Sequence, residues 1–313
     1  MFPSITHHIL TFLVIVVLFA MESTAQLPIR LISHNIRYAT TSPFKGEKPW
    51  PNRLPLLLAE LRYTTLYNSE SFICLQEVLH SQLVDVMSGL NKNTSSEDAE
   101  WAYIGVGRDD GKEKGEYSPI IYRPAIWKLE SWETVWLSET PEKPGKGWDA
   151  ASVRIVTVGH FKHRLSNKSV VGLCTHFDDQ GIKSRRESAK LILRIVDEAS
   201  SSNSTLNSGE RVPVFLAGDL NSEANGEAYQ ILNAGTSLVQ DVQDLTGERY
   251  GERNTFTGFQ DSERKTEIDH VFVGPRGGTQ WTAIGYAVLS NKFEDGVYVS
   301  DHRAVVGDVL LRA

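Results

Sequence analysis

The chain has 313 residues, 41% hydrophobic and 23% charged, with a formal net charge of −7. That is ordinary globular composition, long enough for two domains but equally suited to one mixed fold, and it holds no repeat, heptad pattern or long low-complexity stretch. An acidic chain is excluded as a strong non-specific nucleic-acid binder; action on nucleic acid would need a local basic patch and a metal ion to offset the field.

Residues 9–20 form an apolar run too short to span a bilayer comfortably, followed by Ser23-Thr24-Ala25, a small-x-small cleavage pattern. Residues 1–25 are therefore expected to be a secretory signal peptide and 26–313 the folded domain. An uncleaved N-terminal anchor is the alternative, because no Lys or Arg precedes the run. Sequons at Asn93-Thr94-Ser95, Asn167-Lys168-Ser169 and Asn203-Ser204-Thr205 agree with export. No apolar tail points to a lipid-linked C-terminus. The expectation is a secreted monomeric glycoprotein without stable membrane insertion. Cys74 and Cys174 make neither a metal cluster nor a disulfide framework; both lie in apolar runs and read as buried free thiols.

Residues 27–38 read as a strand with Ile29, Leu31, Ser33 and Asn35 on one face, by alternation. Asn35 falls at the outgoing end, where sites of layered α/β folds gather. Residues 50–67 place Leu54, Leu57, Leu58 and Leu61 at helical spacing, with Pro55 tolerable in the first turn. The apolar strand Phe72-Ile73-Cys74-Leu75 ends in Gln76-Glu77, where Glu77 either caps the helix at 80–90 or binds something. Residues 101–107 and 116–123 read as strands around the charged turn Arg108-Asp109-Asp110-Gly111-Lys112. Residues 127–137 continue the β pattern, with Trp127, Trp132 and Trp136 expected in the core, and residues 140–148 are a Pro/Gly/Lys-rich surface loop.

Residues 153–161 and 170–177 look like a hairpin joined around Asn167, with His176 closing the second strand. Residues 183–199 form an amphipathic helix whose apolar side carries Ala189, Ile192, Ile195 and Val196. The buried strand Val214-Phe215-Leu216-Ala217 then runs into Gly218-Asp219-Leu220-Asn221-Ser222. Alternation directs Asp219 and Asn221 the same way, an arrangement suited to aiming a water or a phosphate oxygen. Residues 223–234 read as a short helix and Thr255-Phe256-Thr257-Gly258-Phe259 as a loop with two exposed or half-exposed aromatics. Asp269-His270 and Asp301-His302 each set an acid beside a histidine near β-rich residues. Strands alternate with helices early and dominate later, which favours two sheets sandwiched between helices.

Assembled in order from Asn35 to His302, these blocks resemble the endonuclease/exonuclease/phosphatase superfamily, the DNase I-like fold. The resemblance implies an α/β four-layer sandwich of two mainly antiparallel sheets flanked by helices, with the site where the sheets meet at one end. It implies that Glu77 binds metal, that Asn35 helps place metal and phosphate, and that Asp301 lies near the metal. By the same resemblance His176 holds the scissile phosphate, Glu116 orients His176, Asp219 and Asn221 activate water, and Asp269 pairs with His302. The layout is similar to the deadenylase-like exonuclease branch, although that branch carries a Gly-Cys-Ala type segment where Glu116-Tyr117-Ser118 stands here.

The implied activity is hydrolysis of a phosphate ester with Mg²⁺ or Mn²⁺, most simply as a nuclease or phosphodiesterase on RNA or DNA. A magnesium site needs only one or two carboxylates plus waters and phosphate oxygens, which Glu77 and Asp301 satisfy. Arg37, Arg108 and Lys112 are candidate phosphate contacts, with a solvated charged turn as the alternative for the last two, and Phe256 and Phe259 are candidates to stack a base or, equally, core residues. Sphingomyelinase-like and phosphosugar or inositol phosphatase activities remain open on this fold, as does a non-catalytic secreted binding protein. No Gly-x-Ser-x-Gly elbow supports a serine hydrolase.

Overall fold

The computed structural model describes residues 26–92, 99–201 and 211–312. The expected signal peptide and the sequons at Asn93 and Asn203 lie outside the described residues. The strands are, in chain order, β1 (Leu27–Asn35), β2 (Phe72–Gln76), β3 (Ala102–Ile104), β4 (Ile120–Tyr122), β5 (Trp127–Trp136), β6 (Ile155–His163) and β7 (Ser169–His176). They continue with β8 (Val214–Asp219), β9 (Gln240–Asp241), β10 (Tyr250–Gly251), β11 (Asp269–Gly274), β12 (Trp281–Val288) and β13 (Val305–Leu311). One sheet has the order β10-β12-β13-β1-β2-β4-β3 and the other β5-β6-β7-β8-β11-β9. Most pairs are antiparallel; β1–β2, β7–β8 and β10–β12 are parallel.

The two sheets pack face to face through a core that includes Ile29, Leu31, Phe72, Trp127, Phe161, Phe215, Val271 and Val309. Phe72 is its hub, with ring centroids of Trp127, Phe161 and Phe215 at 4.8, 4.9 and 4.9 Å. Burying each such ring is worth roughly 2 kcal/mol. Gly172 makes the room: a Cβ there would stand 2.4 Å from the Phe215 ring.

Helices α1 (Trp50–Thr65) and α2 (His80–Leu90) cover the outer face of the first sheet through Leu57, Leu58, Leu61, Leu83 and Val86. Helices α3 (Ile182–Ser201) and α4 (Glu227–Leu232) cover the second through Ala189, Ile192, Val196, Ala228 and Leu232. A last short helix, α5 (Val242–Thr246), sends Val242 into the inter-sheet core. The four-layer sandwich expected from the sequence is the observed one. Cys74 and Cys174 are both buried and free, one on each sheet.

Several local expectations are corrected. Trp127 and Trp136 are buried, but Trp132 is 43% exposed, on the solvent face of the edge strand β5. Phe259 is buried against Tyr298, at a centroid distance of 6.0 Å, and is not available to a ligand. The helix expected over residues 223–234 shrinks to α4, because residues 223–226 form a turn that opens toward the cleft described below. The strand expected over residues 116–123 is β4 alone, since Tyr117 instead makes an isolated bridge to Val78.

Candidate active site

Six strand termini meet at one end of the sandwich. Parallel pairing of β1 with β2 puts Asn35 level with Gln76, so Glu77 follows directly beside it. Parallel pairing of β7 with β8 sets His176 opposite Asp219, and antiparallel β11 starts with Asp269 opposite the same Asp219. Antiparallel β13 begins beside the outgoing end of β1, with Val305 opposite Ser33, and carries Asp301 and His302 just before it. The Val78–Tyr117 bridge holds Glu116 close to Glu77. Arg37, Glu77 and Asn221 all adopt positive φ, at 56°, 59° and 46°, a costly conformation for non-glycine residues that concentrates at functional sites.

A cleft of about 830 Å³ opens over these ends. Glu77, Glu116, His176, Asp219, Asn221, Asp301 and His302 line it, as do Arg37, Arg108 and Phe256. Asn35 and Asp269 are fully buried and lie beneath it. Lys112 is exposed on its turn and is not part of the lining.

Asn35 works as a bridge: its Nδ2 donates to Glu77 Oε1 at 3.0 Å and to Asp219 Oδ2 at 3.1 Å, and its Oδ1 accepts from the Arg37 N–H at 3.0 Å. Beneath it, fully buried Arg53 donates to the carbonyls of Ile36, Arg37 and Val299, tying the exit of β1 to the approach of β13. Glu77 does not cap α2; its second oxygen accepts the Tyr38 N–H at 3.2 Å. Arg37 stacks on Tyr38 and Phe44 and ion-pairs with Glu47 and Glu77 at 3.5 and 3.7 Å.

Asp219 is 1% exposed and accepts the Asn221 N–H at 2.8 Å. It faces His176 Nε2 at 3.4 Å and His302 Nε2 at 3.8 Å. Burial, then the nearby Asp269 charge, push its carboxyl up to about 7, against the pull of His302. His302 Nδ1 sits 2.8 Å from Asp269 Oδ2. Burial alone would lower this imidazole, but the charge and hydrogen bond of Asp269, with Asp219 and Asp301, lift it to about 10. The Phe256 ring meets the His302 ring edge-on at 5.1 Å.

His176 is held by Asn221, whose Nδ2 lies 3.1 Å from Nε2 and also donates to the Phe177 carbonyl. Burial, then the charges of Arg154, Arg108 and His302, keep its pKa well below the usual histidine value. Glu116 approaches His176 Nδ1 only to 3.8 Å, beyond a hydrogen bond, and gives its Oε2 to Arg108 Nη1 at 2.6 Å. The sequence reading missed Arg154, 5% exposed in the cleft wall, and the rim residues Asp179, Glu223, Asn225, Glu227 and Arg264. An arginine directly before an apolar strand was the available signal for the first.

Two groups of residues have donor atoms suited to a cation. Ligand atoms of Asp219, Asp269 and His302 lie within 4.8 Å of one another. Within that trio His302 Nδ1 is already hydrogen-bonded to Asp269 Oδ2 at 2.8 Å, so a metal there would compete with that bond. Glu77 and Asp301 instead offer hard carboxylate oxygens at the cleft surface. Burial, and then Glu77 among the like charges, raise Asp301 to about 6, against the pull of His302. All-oxygen donation fits Mg²⁺ or Mn²⁺.

The sequence profile of the Endonuclease/Exonuclease/phosphatase family matches residues 32–302. No curated protein sequence matches the chain. Among solved structures, the endonuclease/exonuclease/phosphatase from Bacteroides vulgatus is 30% identical, with 91% of this chain and 99% of that one covered and a TM-score of 0.76. A mannosyl-6-phosphatase from Bacteroides thetaiotaomicron is likewise 30% identical, covering 90% and 99% at a TM-score of 0.76. A third, an endonuclease/exonuclease/phosphatase family protein from the same organism, is 29% identical, covering 92% and 99% at 0.77. With the strand-end residues gathered under one cleft and the profile spanning nearly the whole described fold, the chain belongs to the endonuclease/exonuclease/phosphatase family of phosphoesterases.

Proposed function

We propose that the protein is an exported, divalent-metal-dependent phosphoesterase whose substrate is a small phosphomonoester on a hydroxyl-rich alcohol such as a phosphosugar. The observation that carries the substrate class is the cleft lining, where carboxylates outnumber guanidiniums seven to four. With Asp179, Glu223 and Glu227 each paired to an arginine, such a rim offers acceptors for sugar hydroxyls but, among the described residues, no run of free cations for the flanking phosphates of a polynucleotide. The polar lining is equally unsuited to a lipid such as sphingomyelin. Likeness to a mannosyl-6-phosphatase along 99% of that chain supports the same class. One feature favours the nuclease reading as a second: Phe256 presents a half-buried ring at the cleft, able to stack a base. Export rests on the leader pattern of residues 1–25 and on the sequon at Asn167, which sits exposed in the β6–β7 turn.

In this reading Glu77 and Asp301 hold Mg²⁺ or Mn²⁺, with Asn35 fixing Glu77 in place. The bound ion supplies positive charge that polarises a phosphoryl oxygen. Asp219, with its carboxyl near 7, takes a proton from the attacking water, which Asn221 helps to aim. His302 remains an imidazolium across neutral pH and donates to the phosphoryl oxygens as charge builds. His176, oriented by Asn221, binds another of those oxygens, while Arg37, Arg108 and Phe256 line the approach. Because the full residue set is intact, a non-catalytic binding role is disfavoured.

The test is phosphate release by the mature chain from hexose 6-phosphates, beside single-stranded RNA, DNA and sphingomyelin, with Mg²⁺ or Mn²⁺ against EDTA. Metal-dependent phosphate release from the sugar esters, lost by at least about 1,000-fold in Asp219→Ala, is expected. Faster cleavage of RNA or DNA would overturn the substrate class, and half-activity in the variant would overturn the mechanism.

A further inference from the structure

Building on the phosphoesterase reading, we propose that Arg154, with Arg108 beside it, makes the site select a terminal phosphate, the dianion of a monoester, over the singly charged phosphate of a diester. Arg154 precedes β6, whose register with β7 (Val156 opposite Thr175) places it alongside the His176 end of the neighbouring strand. Its side chain is buried and yet lines the cleft. Two of its three nitrogens are committed: Nε faces Asp178 Oδ2 at 3.4 Å and Nη2 donates to Asp179 Oδ1 at 2.8 Å. The third, Nη1, is buried without a hydrogen-bond partner. A buried donor on a charged group goes unpaired at a cost unless a ligand completes it.

The guanidinium is also rigidly held. Asp178 is itself fixed by the N–H groups of Ala151, Ser152 and Gly181 at 3.0, 3.0 and 2.7 Å, so the fork cannot swing away. Arg154, Arg108, Glu116 and His176 all line the cleft, and the same four also border one tight crevice with no room for a water. Arg108 Nε is a second buried nitrogen without a hydrogen-bond partner there. Both guanidinium charges reach His176, where they add to burial in disfavouring its protonation.

The metal-holding carboxylates Glu77 and Asp301 belong to the ends of the first sheet, whereas His176 and Arg154 belong to the second. A phosphoryl group between them presents oxygens to both sides. A diester has two non-ester oxygens and one negative charge; a monoester has three oxygens and, above its second pKa near ~6, two charges. The idle Arg154 Nη1 is a donor for the third oxygen.

The experiment compares the mature wild type with Arg154→Gln and Arg154→Lys on p-nitrophenyl phosphate and bis(p-nitrophenyl) phosphate, which share a leaving group, in saturating Mg²⁺. For Arg154→Gln the monoester kcat/KM is expected to fall about 30-fold while the diester value changes less than about threefold, the size of one charge-assisted hydrogen bond. Arg154→Lys should recover part of the ratio. Equal losses on both esters overturn the proposal, whether the melting temperature holds or drops with them. Calorimetry on the same proteins with inorganic phosphate and dimethyl phosphate gives a reading independent of turnover. Wild-type preference for inorganic phosphate that vanishes in Arg154→Gln supports the proposal even if no ester is hydrolysed, a result that would instead sink the phosphoesterase reading. Equal binding of the two anions by wild type overturns it.

Discussion

Asp219 and His302 lie 3.8 Å apart, and both are shifted upward, the carboxyl by burial and the imidazole by Asp269 against burial. The carboxylate is pushed up to about 7 while the imidazole, backed by Asp269, is lifted to about 10. These shifts favour the protonated imidazole at neutral pH and bring the carboxyl closer to accepting a proton there. Asp219 is accordingly the base in the proposed mechanism and His302 the proton-bearing electrostatic partner. The needed form of His302 is the protonated one, present below its pKa and lost as pH rises through it. Asp269→Asn removes the largest favourable influence on that proton. The alkaline limb of the kcat–pH profile should then move toward neutrality by about one unit or more, with a fall in kcat of about 100-fold. An alkaline limb that stays in place would assign it to another group.

At the scale of the element, the site depends on how closely β7 and β8 approach. Gly218 sits directly before Asp219, and a Cβ there would stand 2.3 Å from the Thr175 carbonyl oxygen of the neighbouring strand. Beyond it, the Phe177 N–H donates to the Asp219 carbonyl and the Leu220 N–H to the Ile268 carbonyl, so the turn carrying Asn221 is pinned from both sides. Gly218→Ala must part the two strands at the end that faces the cleft. The expected cost is about 3 kcal/mol in denaturant melts, with activity falling further than stability because His176 and Asp219 separate. Gly235→Ala, where an added methyl meets nothing within 4 Å, should leave both unchanged. How these ends are placed was partly legible in the sequence: the apolar runs ending at Asn35, Glu77, His176 and Asp219 are visible as runs. Their spacing is not, because it follows from strand register between segments far apart in the chain.

For the molecule as a whole, Asp178 is the fastening between the loop before β6, the end of β7 and the start of α3. It accepts N–H groups from Ala151, Ser152, Gln180 and Gly181 as well as Arg154 Nε. Those backbone bonds and Arg154 outweigh burial and hold its carboxyl at about 2, against an ordinary 3.8. A depressed carboxylate contributes stability that is present above its unfolded pKa and is lost as pH falls through the folded one. Asp178→Ala should therefore cost about 3 kcal/mol at neutral pH, with several buried donors left unpaired. The part of that deficit due to charge should vanish between about pH 4 and pH 2, as measured by melts of both proteins across that range. A deficit independent of pH would mean that the contribution is packing and not the ionised carboxylate.

The sequence alone determined the layered α/β class and which polar residues end its strands, because alternation and apolar runs are properties of a few consecutive residues. The Asp269–His302 pair came from the family resemblance, and the structure brings the two within 2.8 Å. The sequence misjudged the exposure of Trp132 and left Phe259 open between ligand contact and core, because both depend on what lies across from them: Tyr298 covers Phe259, and among the described residues no strand pairs with the outer edge of β5, which carries Trp132. Only the tertiary structure decided that Asn35 lies under the cleft as a bridge between Glu77 and Asp219. The spare nitrogen of Arg154 beside His176 was likewise beyond the sequence. Those partners are 42, 184 and 22 positions apart, and their meeting is fixed by sheet register and by the packing of one sheet on the other. Burial raises the Asp219 carboxyl and the Asp269 carboxylate raises the His302 imidazole, shifts that no reading of residue type supplies.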